Sequence, residues 1–159
     1  MGDIILKGSL YLLQEAQTQP FDLSLIGKIK FPTADDKKGL GTGEYDETIG
    51  LEFDKRVLPQ GTAFIDAYYT FIGSPQGAEL KNRFSFDVGL TKEITPSLTA
   101  SVFYEESTPL ISENANVRYV MINIDHKVTE ATHLFAGGSI GLTDTSADYG
   151  ITIGANAKF

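Results

Sequence analysis

The feature that most constrains the fold of this 159-residue chain is alternation: through nine separate segments, apolar and polar residues trade places at every step. A period of two belongs to strands whose two faces meet different surroundings. Asp3–Leu13 places Ile4, Leu6, Gly8, Leu10 and Leu12 on one face, with Lys7, Ser9 and Tyr11 opposite. Phe21–Phe31 sets Phe21, Leu23, Leu25, Gly27, Ile29 and Phe31 against Asp22, Ser24, Lys28 and Lys30. Glu47–Asp54 sets Ile49, Leu51 and Phe53 against Thr48, Gly50, Glu52 and Asp54, and Thr62–Gly73 follows, its polar side blurred by Phe64, Tyr68 and Ile72. Arg83–Thr91, Leu98–Glu105, Tyr119–Val128, His133–Leu142 and Asp148–Phe159 continue the pattern. No helical period and no linker interrupts it, so residues 1–159 read as a single domain.

Most segments have roughly the 9–11 residues that a tilted strand needs to cross the hydrocarbon of a membrane. The connections alternate in length. Short ones fall at 54–61, 93–97 and 129–132, and longer, more polar ones at 32–46, 73–82, 106–114 and 143–147. A short-turn end and a long-loop end are the asymmetry of an outer-membrane barrel. The expected fold is therefore all-β, an up-and-down antiparallel transmembrane β-barrel of about eight to ten strands. Composition agrees: 16 Gly, 10 Phe and 7 Tyr suit strands and tight turns. No stretch approaches the length of a membrane helix, which leaves a closed barrel open because its backbone satisfies itself. The net charge of −8 argues against nucleic acid, and the absence of cysteine removes thiolate metal sites and cysteine nucleophiles.

Alternation alone does not say which face points outward, since a soluble ligand-binding barrel has the same period with its apolar face inside. The polar face carries Lys7, Asp22, Lys28, Lys30, Glu52, Asp66, Arg83, Asp87, Glu105, Asp125 and Lys127, mixed in sign and near mid-strand. These are the candidate lumen-lining residues. On the apolar face, aromatics sit near strand ends: Phe21, Phe31, Phe71, Phe84, Tyr104, Tyr149 and Phe159. These are candidates for the aromatic girdles at the two membrane surfaces. Phe159 closes the chain in phase with Tyr149, Ile151, Ile153, Ala155 and Ala157, which resembles the terminal strand that barrel-assembly machinery recognises. The outward assignment of the apolar face rests mainly on this strand.

One stretch is more specific. Gly2-Asp3, the run Lys28-Ile-Lys-Phe-Pro-Thr-Ala34, the glycines of Gly39-Leu-Gly-Thr-Gly43, Asp46 and the strand to Phe53 together resemble the outer-membrane β-barrel family of meta-pathway phenol-degradation and transporter proteins. The resemblance implies a barrel that passes or binds hydrophobic or aromatic compounds, and assigns no residue a role. The glycine loop itself permits positive φ and close backbone approach, as an external hairpin or an inward constriction. It lacks the Lys-Ser/Thr and the helix of a phosphate cradle. Met1-Gly2-Asp3 shows no export signal, which fits a mature or shortened chain or a protein that is not exported. Bacterial barrels have an even strand number with both termini inside, so nine segments suggest a miscount or an N-terminally truncated barrel.

Catalysis is not expected. His126 and His133 are the only histidines. No carboxylate stands at metal-ligand spacing from either, and spacing does not show whether Ser101 or Ser139 approaches one of them. No cofactor and no metal are called for. The lumenal charges have two readings: ion pairs that plug a narrow interior, or a lining that selects solutes. The expected function is a narrow passive channel or transporter in a Gram-negative outer membrane, with membrane lipid, the assembly machinery and a small hydrophobic substrate as partners. The alternatives are a non-conducting structural or surface-interaction barrel, or a soluble lipid-binding barrel.

Overall fold

The computed structural model describes residues 2–16, 20–35, 38 and 41–157. It consists of nine antiparallel strands: β1 (Ile4–Leu13), β2 (Asp22–Phe31), β3 (Asp46–Leu58), β4 (Gly61–Ile72), β5 (Arg83–Thr95), β6 (Leu98–Ser107), β7 (Val117–Lys127), β8 (Thr132–Gly141) and β9 (Tyr149–Ala157). They form one up-and-down sheet in sequence order, curled into a half-barrel. Each of the nine alternating segments is a strand. Among the described residues, no pairing joins β1 to β9. Both run in the same direction, as the first and last of an odd number of antiparallel strands must.

Strand ends differ from the sequence expectation at the short turns. β3 and β5 continue four residues further than their alternation suggested, leaving only Pro59-Gln60 and Pro96-Ser97 as turns. The register slips between Arg56 and Leu58 and between Glu93 and Thr95, one irregularity beside each turn. Such bulges add local twist and let a strand end without the clean period that marks its middle. Proline, which donates no backbone hydrogen bond, stands where the ladder stops.

The two faces are inverted relative to a water-soluble sheet. The apolar face is the more exposed one: Ile122, Ile140 and Ile153 are 56%, 62% and 80% exposed. The polar face is the concave one, and its residues shelter each other, as the alternation of exposed Val120, Ile122 and Ile124 with half-buried Met121, Asn123 and Asp125 along β7 shows. Ile26, on the concave face, is the one fully buried large apolar side chain among the described residues. Among the described residues, no second layer covers the outer face. An apolar surface spanning nine strands far exceeds the few hundred Å² that monomeric soluble proteins expose.

The concave face is packed by a cross-strand device. Tyr68 lies over Gly50, Phe103 and Phe64 over Gly89, Phe135 over Gly154, and Asn123 over Gly137, each a directly opposed pair in the register. A ring lying flat on a glycine covers the backbone where the curve of the sheet leaves no room for two side chains. Phe64 and Phe103 also meet edge to face at 5.8 Å. A methyl group on Gly89 collides with Phe103 and the Val102 carbonyl, whereas one on Gly27, on the outer face, meets nothing. Replacing Gly89 with Val is therefore expected to destabilise the sheet by about 1–3 kcal/mol. Gly27→Ala is expected to be neutral or slightly stabilising, and urea unfolding of the two variants in detergent checks the contrast.

Candidate functional site

The register assembles the polar residues of the concave face into rows that cross the strands. Glu52 on β3 stands opposite Asp66 on β4, Asp66 opposite Asp87 on β5, and Asp87 opposite Glu105 on β6. With strands about 4.8 Å apart, this is an unbroken line of four carboxylates. Like charges directly opposite each other are destabilising, so the row is held against a cost. Asp22 and Asp54, opposite one another on β2 and β3, extend the acidic surface one step toward the short turns.

Lys7, Lys28, Lys30 and Arg83 lie beside this row, toward the long loops. Lys7 and Lys28 are opposed on β1 and β2. Lys7 Nζ donates to Glu52 Oε1 at 2.7 Å, and the Tyr68 hydroxyl donates to the same oxygen at 2.7 Å. Lys28 Nζ stands 4.0 Å from the centroid of the Tyr68 ring. A charged and aromatic network thus ties four strands together across the concave face. Arg83 begins β5 at the same level, and its Nε is buried without a hydrogen-bond partner among the described residues. Uncharged rungs fill the rest of the face, with Thr48 bonded to Thr70 and Thr91 to Ser101, each at 3.0 Å.

Lys30 organises the mouth at the long-loop end. Its ammonium is 2.7 Å from Asp46, 3.8 Å from Asp3 and 3.1 Å from the Thr42 hydroxyl. Asp3 accepts the Ala34 backbone N–H at 2.9 Å, and Asp46 accepts that of Gly73 at 3.0 Å. One cation therefore pins the segment before β1, the β2–β3 loop and the start of β3, and through Asp46 the β4–β5 loop. The lysine-rich strand, the proline-threonine turn, the glycine loop and Asp46 are the residues that carried the family resemblance. Gly43 adopts φ of 73°, a left-handed conformation that glycine takes without strain. Gly39 lies outside the described residues.

At the opposite end, Asp125 on β7 is bonded to His133 on β8 at 2.7 Å, and Lys127 to Glu130 in the intervening turn at 2.7 Å. The hydrogen bond from Lys127 holds the exposed Glu130 carboxyl below its usual range. The His133–Asp125 pair was not legible from spacing: residues eight apart in sequence meet because the hairpin folds them onto one face. Ser101 is engaged by Thr91, and Ser139 lies against Gly150.

All eleven candidate lining residues fall on the concave face, but they do not form one cluster. Phe64 stands on this face as its segment's blurred polar side indicated, whereas Ile26, Phe103, Met121 and Phe135, which also share it in phase with the polar residues of their own strands, were not foreseen. That phase was the available signal. On the outer face the aromatics gather toward the long loops. Phe31 meets Tyr45, Tyr69 meets Phe71, and Phe86 meets both Phe84 and Tyr104, with Tyr149 at the start of β9. Phe21 packs on Phe53 at 4.8 Å toward the short turns. Phe159 lies outside the described residues.

The family model described as Putative MetA-pathway of phenol degradation matches residues 1–159, and the chain belongs to that family. No curated protein matches it in sequence. Removing the Lys30 charge by Lys30→Met is expected to leave Asp3 and Asp46 uncompensated and to loosen the loop they hold. Limited proteolysis within residues 32–45 is expected to run about tenfold faster, equal to about 1.4 kcal/mol of local opening.

Proposed function

We propose that this member of the phenol-degradation family forms barrel wall in the outer membrane of a Gram-negative bacterium and lines a narrow passive path for small aromatic compounds. The observation that carries the reading is the inversion of the sheet: apolar side chains face outward with nothing among the described residues covering them, and charged ones face the concave side. Water penalises that arrangement at every outward Ile, Leu and Val, whereas hydrocarbon accepts it. The aromatic band at the long-loop end matches the level of a membrane interface.

The nature of the solute follows from the concave face. Phe64 and Phe103 offer ring surfaces beside Asp54, Asp66 and Asp87, and Phe135 one beside Asp125, carboxylates that accept hydrogen bonds. A phenol presents the complementary pair, a flat apolar ring and one hydroxyl donor. This role is that of a conduit, with no bond made or broken.

Liposomes containing the protein are expected to take up phenol-type solutes faster than protein-free liposomes, and equal rates would overturn the proposal. The carboxylate row also implies a preference for cations over anions. In planar bilayers under a salt gradient, the double replacement Asp66→Asn with Asp87→Asn is expected to move the reversal potential toward zero. An unchanged potential would mean that the row does not face the path.

A second reading rests on the Lys7–Glu52–Tyr68–Lys28 network, whose ion pair and packed ring fill part of the interior. Conductance equal to bare lipid, with surface binding that depends on the long loops, would select a closed structural barrel.

A further inference from the structure

We propose that a crevice between the β4–β5 and β6–β7 loops binds the sugar headgroup of an anionic glycolipid in the outer leaflet. The inference rests on the membrane reading above. The crevice has a volume of about 490 Å³, within the usual range for small-molecule sites. Tyr69 and Phe84 form its membrane-side wall, and both belong to the outward face at the aromatic band. Lys81, Asn82, Ser112 and Asn114 line the loop side. Rings below and amides, a hydroxyl and an ammonium above are the two chemistries that a sugar presents: apolar C–H faces and a rim of hydroxyls.

The site is held in place before any ligand arrives. The Lys81 N–H donates to the Leu110 carbonyl at 2.8 Å, which locks one loop to the other. The Phe84 N–H donates to the Thr108 hydroxyl at 2.9 Å, and the Thr108 N–H donates back to the Phe84 carbonyl at 2.8 Å. Asn82 accepts the Ile72 N–H and donates to the Tyr69 hydroxyl at 3.2 Å, which orients that ring. Other groups remain available. Among the described residues, Lys81 has no carboxylate within ion-pairing distance, and the side chains of Ser112 and Asn114 make no hydrogen bond.

Placement decides the kind of ligand. The crevice opens on the outer side of the wall, above the apolar belt, so acyl chains attached to a sugar seated there would lie along the exposed Val88 and Val102 of that belt. A soluble sugar phosphate would share the polar contacts and lack this apolar anchor. Lys81 supplies the one charge that favours an anionic headgroup.

Native mass spectrometry of the full chain in detergent tests the proposal with four probes: a diphosphorylated glucosamine-based glycolipid, its dephosphorylated form, free glucosamine phosphate and phosphatidylglycerol. The wild-type protein is expected to retain the first best, and Lys81→Ala and Asn114→Ala are each expected to weaken retention about tenfold. The dephosphorylated lipid is expected to lose the dependence on Lys81. Equal retention by both variants, equal binding of phosphatidylglycerol, or equal binding of free glucosamine phosphate would each overturn it. Protease protection in vesicles separates the two levels of the argument. A wild-type protein that inserts yet shows no glycolipid preference defeats this site alone, and one that fails to insert defeats the membrane reading as well.

Discussion

The pleat of the β-strand is the constraint on which the rest of this structure depends. Side chains alternate across the sheet while every interior backbone N–H and C=O is satisfied by the neighbouring strand. The chain can therefore offer an uninterrupted apolar surface on one side and a charged one on the other. Because the register from β2 to β8 is continuous through the middle of each strand, one choice of phase sets the outward face for the whole sheet. A slip of one residue in any strand would turn its isoleucines inward and its carboxylates outward.

The concave face solves a harder problem than the outer one. It must hold charges close together and also permit the sheet to curl. The glycines opposite Tyr68, Phe103, Phe135 and Asn123 make room for large side chains to lie flat, and the curve brings those side chains into a common interior. The carboxylate row from Glu52 to Glu105 remains costly, offset at one end by Lys7 and Tyr68. A sheet selected for stability alone would not place four acidic side chains opposite one another, which is why the row is read as part of what the interior does.

The mouth shows how a family pattern acquires a physical meaning. Asp3, Lys30 and the Thr42–Asp46 stretch come from three separate parts of the sequence, yet one ammonium gathers them. The motif that identified the family is thus a clamp on the longest connection, and the glycines beside it allow the loop to come close enough to be held.

Much of the fold was legible before any coordinates. All nine strands follow from the period of two, and so does the sharing of one face by all eleven candidate residues. Strand ends were less so, because β3 and β5 run on through bulges where the alternation fails. Apart from Phe64, the apolar members of the concave face were missed, because Phe103 and Phe135 look like exceptions to a polar pattern until a glycine is found opposite each. His133 and Asp125 looked unrelated because spacing along a chain carries no information about which residues a hairpin opposes. The sequence by itself determined the strand count, the alternation of turn lengths and the two chemically distinct faces, since these are local properties of a pleated backbone. Only the tertiary structure decided which carboxylates stand in line, which rings lie on which glycines, what Lys30 holds and which face is concave. Those depend on register and curvature, which are set between strands and not within them.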